Sequence, residues 1–235
     1  NRAEEPDLAP EPGARAHTEA LIDRIRSDAD RTWSRLTEEL TGDGLGEALS
    51  REILPEAPRL REALDRLDTL LEIEEPPDRL RIHGDYHLGQ IILADGELYI
   101  LDFEGEPARS LQHRRERDNP LRDLAGMLRS LDYAIGAALA DREAETDHAA
   151  EWAERLTRWS AHVLEEAYFS TAEEGAFLGE RGANDAFLWA YLLEKALYEI
   201  RYELDHRPDW IELPVRGLAR LLDRSAPIPV AEEVS

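Results

Sequence analysis

The chain has 235 residues, with 52 acidic against 28 basic side chains and a formal net charge of −24 at pH 7. A surface this acidic repels phosphate backbones and anionic lipid faces, so neither a nucleic acid nor a membrane is an expected partner. There is no cysteine, which excludes disulfides and thiolate metal sites.

The remaining composition, 42% hydrophobic and 34% charged, is that of an ordinary globular chain with ample material for a core. No apolar run reaches bilayer-spanning length and no leader pattern opens the chain, so a cytoplasmic setting is expected. The chain begins at Asn1, and the acidic, proline-containing stretch Glu4 to Gly13 reads as a cut inside a longer protein. Residues 1–13 are expected to form a loose segment, 14–224 one folded lobe, and 225–235 a loose tail.

From Ala14 to Leu40, Leu21, Ile22, Ile25, Ala29, Trp33, Leu36 and Leu40 fall at helical spacing, until Thr41-Gly42-Asp43-Gly44 stops the helix. A second helix is expected over Pro58–Glu72, with Leu60, Leu64, Leu67, Leu70 and Leu71 on one side. Glu74-Glu75-Pro76-Pro77 ends it, because residues before proline avoid the helical region. The pattern then turns extended. Gln90–Leu93 and Leu98–Leu101 read as two strands joined by the hairpin turn Asp95-Gly96. An Arg-rich polar segment follows from Glu104 to Asn119, in which His113-Arg114-Arg115-Glu116-Arg117 reads as a solvated loop. Asn119-Pro120 has the form of an N-cap before a proline-started helix running to about Leu139. Further helices are expected over Ala144–Thr171, Asp185–His206 and Leu213–Leu222. The fold class is therefore α+β and mainly α, with one small β-hairpin ahead of the largest helices.

Ionisable residues gather at the two ends of that hairpin, in Arg81-Ile82-His83-Gly84-Asp85-Tyr86-His87-Leu88-Gly89-Gln90 and in Ile100-Leu101-Asp102-Phe103-Glu104. Phosphoryl transfer to a hydroxyl needs a carboxylate that orients the hydroxyl and accepts its proton, and oxygen ligands that hold Mg²⁺ against the phosphates. Asp85 can be the first. Gln90, five residues on, supplies an amide oxygen, and Asp102 a charged ligand. Protein kinases have the same order: a catalytic Asp, Asn five residues later, then a metal-binding Asp before Phe. Here Gln stands for Asn, and Glu104 for the glycine after Phe. Alone, His-Gly-Asp is a common turn; the two spacings around a hairpin are what raise phosphotransfer above that reading. Gly84-Asp85-x-His87 also matches the first metal motif of dinuclear phosphoesterases, but the Gly-Asn-His element of that class is nowhere in the chain.

His83 to Gln90, with Leu101-Asp102-Phe103-Glu104-Gly105-Glu106-Pro107 and the run Pro120 to Tyr133, resembles the maltokinases, sugar kinases of the aminoglycoside-phosphotransferase and protein-kinase-like superfamily. The likeness extends to Glu194–Glu199 and Pro214-Val215-Arg216-Gly217. It implies a kinase-like C-terminal lobe, ATP as co-substrate and transfer of its γ-phosphate to the anomeric hydroxyl of maltose. Trehalose synthase, fused or associated, is the implied partner. The resemblance makes Asp85 the catalytic base and Gln90 and Asp102 the Mg²⁺ ligands. His83 joins the catalytic set as a buttress of the loop, and Asp123 ties the following helix to it. Lys195 is the only lysine, and with Tyr198 and Tyr202 it lies on one helix face, at spacings of three and four. These three either bind sugar or, in the case of the tyrosines, pack half-buried; Arg216 is a further candidate for the same pocket. His87, Glu104 and Glu106 either orient substrate or complete the hydrogen-bond network around the metal.

A kinase also needs a β-rich lobe with a phosphate-covering loop and a lysine for the phosphates. Nothing before His83 resembles one, so the N-terminal β lobe is expected to be absent from this chain. The chain alone is then a poor catalyst, or serves as a non-catalytic binding lobe, and another hydroxylated acceptor such as an aminoglycoside remains open.

Overall fold

The computed structural model describes residues 9–41, 53–105, 110–140, 147–172 and 177–223. Glu106, the tail 225–235 and the helix stop at Gly42-Asp43-Gly44 lie outside them. The chain divides into two compact units, one of Asn1–Gly13 with Pro77–Glu180 and the other of Ala14–Pro76 with Arg181–Ser235.

The second unit is helical among its described residues. Helix α1, Arg15–Thr41, packs on α6, Arg181–His206, which also carries α7, Glu212–Asp223. The expected apolar stripe on α1 is the buried one: Leu21, Ile22, Ile25, Ala29 and Leu36 are all at most 2% exposed, so helical spacing did identify the core face. Helix α2 is shorter than the sequence suggested. It spans Glu56–Arg66, and the chain then tightens into a 3₁₀ segment, Leu67–Glu72, that still buries Leu67 and Leu70. A 3₁₀ turn is a common way to close a helix before prolines.

Helix α6 begins at Arg181, four residues before the expected start, and is buried through most of its length. Such burial forces partners on its polar residues. Glu194 pairs with Arg24 of α1, and Arg201 donates to Thr32 Oγ1 at 2.8 Å and pairs with Asp28 at 3.2 Å. Thr32 in turn donates to the Asp28 carbonyl at 2.7 Å, so a polar seam locks α1 against α6 inside an otherwise apolar contact.

The first unit holds the hairpin. Strand β1 is Ile91–Ala94 and β2 is Glu97–Ile100, antiparallel, with Ile91 opposite Ile100 and Ala94 opposite Glu97. Asp95 and Gly96 have φ of 53° and 82°, the left-handed pair that a two-residue hairpin turn demands. Both strands sit one residue away from the expected bounds. Gln90 belongs instead to a 3₁₀ turn, Leu88–Gln90, capped by His87, whose Nδ1 accepts from Gly89 N–H at 3.1 Å. Within the polar segment lies a short helix, α3, Leu111–Arg115.

Helix α4, Leu121–Ala140, starts as expected: Asn119 Oδ1 accepts from Leu121 N–H at 2.9 Å, with Pro120 between them. Its buried face of Leu121, Leu124, Ala125, Met127 and Leu128 forms the heart of this unit, and α5, Asp147–Ala172, packs along it. Residue Glu11, in the segment expected to be loose, is anchored. Its backbone pairs with Arg79 through two hydrogen bonds of 2.8 Å, and its carboxylate pairs with Arg117. Arg117 is thereby a structural tie and not a solvated loop residue. No helix among the described residues is long and apolar enough to cross a membrane.

Candidate active site

The geometry starts with Gly84. Its φ of +82° turns the chain sharply after His83, a conformation available to glycine without penalty. Gly105, at φ +76°, backs onto the same turn: a Cβ at Gly84 would lie 3.5 Å from Gly105 Cα. The His-Gly-Asp loop and the loop after Phe103 therefore meet backbone to backbone, as the hairpin between them allows.

Helix α4 holds this turn from below. Asp123 Oδ2 accepts from His83 N–H at 2.7 Å and Oδ1 from Gly84 N–H at 2.8 Å, so one carboxylate satisfies two consecutive amides. The expected tie from Asp123 to the loop thus has a definite geometry. Burial pushes the Asp123 carboxyl above its ordinary range, against the opposing pull of the Gly84 and His83 amides. The folded protein then binds this proton more tightly than the unfolded chain does. The stability that the group contributes is complete below the ordinary carboxyl pKa and declines as pH rises through the raised one. Asp123→Asn is expected to flatten the pH dependence of unfolding in that window while lowering stability overall, because an amide oxygen replaces only one of the two acceptors. Chemical denaturation of both proteins from pH 3 to pH 7 checks this.

His83 is 7% exposed and is held on both ring nitrogens. Nε2 lies 2.7 Å from the Leu101 carbonyl, and Nδ1 is 3.3 Å from the Asp85 amide. A carbonyl only accepts and an amide only donates, so the ring is the neutral tautomer with its proton on Nε2. It stands between Tyr86 and Phe103, with ring centroids 5.6 and 5.0 Å away. His83 therefore couples the start of one loop to the end of β2 and acts as a buttress; its ring has no nitrogen left for a reacting group.

Asp85 is half-buried, with Oδ2 3.9 Å from His87 Nε2. Across the hairpin base, Gln90 Nε2 and Asp102 Oδ2 are 3.3 Å apart, and Gln90 O accepts from Leu101 N–H at 2.9 Å. Asp102 has φ +59°, one of two described non-glycine residues in the left-handed region. Such backbone is uncommon outside Asn and Asp, and it is what turns this carboxylate toward Gln90 at a strand end. Here Gln90 donates its amide Nε2 to Asp102; turning the amide over would set its oxygen beside the carboxylate, and such a pair would fit Mg²⁺, which takes one or two protein oxygens and completes its shell with water and phosphate. Among the described residues no group of three or more His, Cys, Asp or Glu could hold a metal ion.

The structure thus gathers His83, Asp85, His87, Gln90, Asp102 and Asp123 around one loop pair. Glu104 is on the same turn and exposed. Lys195, Tyr198, Tyr202 and Arg216 belong to the other unit. There Lys195 Nζ stands 4.7 Å from the centroid of the Tyr198 ring, Tyr198 stacks on Tyr202 at 6.2 Å, and Arg216 pairs with Glu212. Two contacts went unread in the sequence. Gly126 brings α4 against the Tyr86 carbonyl, and Ser130 Oγ accepts from Leu88 N–H at 3.1 Å. A glycine inside a helical pattern is a sign of close packing, so Gly126 could have been found; nothing marked Ser130.

No protein-family profile matches the chain. A glucosamine kinase of Streptacidiphilus jiangxiensis is 30% identical over 173 residues, which are 71% of this chain and 36% of that protein. A glucosamine kinase of Mycolicibacterium smegmatis (strain ATCC 700084 / mc(2)155) is 32% identical over 196 residues, 82% of this chain and 47% of its own length. The structure of a glucosamine kinase in complex with glucosamine, ADP and inorganic phosphate superposes with a TM-score of 0.71 at 26% identity, covering 91% of this chain and 49% of that one. The fold is the kinase-like C-terminal lobe of the glucosamine kinase structures, mainly helical with a two-stranded sheet. The chain spans less than half the length of the curated relatives it matches.

Proposed function

We propose that this chain is the catalytic half of an ATP-dependent sugar kinase. The observation that carries it is the juxtaposition of Gln90 with Asp102 at the base of the hairpin, on the same loop pair as Asp85. In this reading a sugar hydroxyl lies against the Asp85 carboxylate, which orients it and takes its proton as the oxygen attacks the γ-phosphorus. The bond from that phosphorus to the β–γ bridging oxygen breaks, and ADP leaves. Mg²⁺ held by Gln90 and Asp102 would neutralise the phosphate oxygens, which matters in a chain of net charge −24. His83 fixes the backbone on which Asp85 stands, and His87, its Nε2 3.9 Å from Asp85 Oδ2, is proposed to orient the substrate or to complete the hydrogen-bond network around the metal.

Glucosamine is the first acceptor to test, because the relatives that match bear that name. An acidic surface with exposed Glu104 beside the loop also suits an acceptor that carries an ammonium group. Maltose is the second, favoured by the run from Leu101 to Gly105 and its continuation Glu106-Pro107. Lys195, Tyr198, Tyr202 and Arg216 are proposed sugar-binding residues; the two tyrosines stack on each other between Lys195 and His206, so their hydroxyls and ring edges are the groups proposed to meet a sugar. Trehalose synthase as a partner belongs to the maltose reading alone. The full-length protein, incubated with Mg²⁺-ATP and each sugar, should give a new sugar-phosphate resonance in ³¹P NMR with glucosamine. A product with maltose alone would move the assignment to the second reading, and no phosphosugar from any acceptor would overturn the kinase proposal.

A further inference from the structure

One face of helix α4 follows the loop in register. Asp123 holds His83 and Gly84, Gly126 meets Tyr86, and Ser130 holds Leu88. The helix positions are spaced three and four apart, so they lie in one stripe along the axis. The loop positions advance in the same direction, from 83 to 88. Two of the three contacts use side-chain oxygens to satisfy loop amides, and the third admits a loop carbonyl only because the helix residue has no Cβ.

The last of these contacts sits at a sensitive place. Leu88 opens the 3₁₀ turn Leu88–Gln90, and Gln90 is the residue whose side chain meets Asp102 at 3.3 Å. Within itself the turn is held by His87, which caps it through Gly89 N–H, and by Gln90 N–H, which donates to the His87 carbonyl at 2.9 Å; at its far end the hairpin holds it, Leu101 N–H donating to the Gln90 carbonyl at 2.9 Å. None of these bonds ties its first residue, Leu88, to a helix. The Ser130 bond instead refers the turn to α4, the same rigid element that positions Asp85 through Asp123.

We propose that Ser130 is a positioning residue for the metal-binding side of the site, resting on the kinase reading above. Asp123 sets the proton-accepting side, Ser130 sets Gln90, and the rise of α4 between them fixes the separation of the two. Removing the Ser130 hydroxyl frees the turn from the helix without touching Asp85. The effect falls on cation binding and not on the chemical step.

Ser130→Ala and Ser130→Thr in the full-length protein test this. Calorimetric titration of Mg²⁺ into protein with saturating ADP should show half-saturation about three- to tenfold higher for the alanine variant, the loss expected for one hydrogen bond. Turnover at saturating Mg²⁺ should stay within about twofold of the parent, and the threonine variant, which keeps the hydroxyl, should restore the parent titration. Unchanged Mg²⁺ binding in Ser130→Ala would overturn the proposal, as would a loss of turnover that added Mg²⁺ does not recover. Thermal melts confirm that both variants fold, which alanine in a helix favours. If the kinase reading fails, because Asp85→Asn leaves turnover intact, the Mg²⁺-ADP titration still reports on Ser130.

Discussion

Asp85→Asn in the full-length protein is expected to reduce sugar-dependent ADP release by at least about a hundredfold, with the melting temperature nearly unchanged. A positioned general base contributes about 10²–10⁴ to such a rate. An amide of the same shape keeps the packing but cannot take the hydroxyl proton. The separation of activity from stability follows from how the loop is built. The Asp85 side chain is half-buried, and the bonds that hold the turn come from the backbone and from its neighbours: His83 and Gly84 amides on Asp123, the Asp85 amide on His83 Nδ1. None of these uses the Asp85 carboxylate. A rate that stays at the parent level would remove Asp85 from the mechanism, whereas equal loss of rate and of stability would make it a structural residue.

Gly126→Ala should damage both stability and activity. A Cβ there would sit 2.6 Å from the Tyr86 carbonyl oxygen, a backbone atom that cannot rotate away. Either α4 or the loop must move, and overpacking of this kind costs about 1–3 kcal/mol. The better helix propensity of alanine returns about 1 kcal/mol, so the net loss is about 0–2 kcal/mol and the melting temperature falls by at most a few degrees. Activity should suffer more than stability. Tyr86 adjoins Asp85, and a misplacement of about 1 Å at a catalytic group costs about a hundredfold in rate. Gly182→Ala is the matched control, since a Cβ on that α6 glycine meets nothing within 4 Å. Thermal melts and initial rates on the two variants distinguish a contact-specific effect from a generic glycine effect. Equal behaviour of both would contradict the close approach of α4 to the loop.

Much of this arrangement was legible because it is written in local patterns. The stripe from Leu21 to Leu36 obeys helical spacing and is the buried face of α1; Asp95-Gly96 adopts the left-handed backbone that its residue types favour; Asn119-Pro120 caps α4. Gln90 and Asp102 were paired by spacing alone, and the hairpin does bring them together. The boundaries slipped where two local preferences compete. Gln90 has an extended neighbour on one side and a capping histidine on the other, and the cap wins, so the residue ends a 3₁₀ turn instead of opening a strand. Other features depend on what packs against them. The pairing of Glu11 with Arg79 joins segments far apart in sequence, and Ser130 is an unremarkable helix residue until Leu88 is placed above it. A lone hydroxyl or carboxylate carries no mark of a distant partner.

The hairpin also shows why composition does not decide burial. Leu93 and Leu98 are 70% and 69% exposed, although each belongs to the apolar pattern that identified the strands. Periodicity reports which residues share a face, not whether that face is covered.

Coupled ADP release by the full-length protein with Mg²⁺-ATP, measured with glucosamine, with maltose and without sugar, tests the central claim most directly. Turnover that requires a sugar and is abolished by Asp102→Asn is the result expected if the loop pair around Asp85, Gln90 and Asp102 is the phosphotransfer site. Sugar-dependent turnover that survives Asp102→Asn, or none with any sugar, would contradict it.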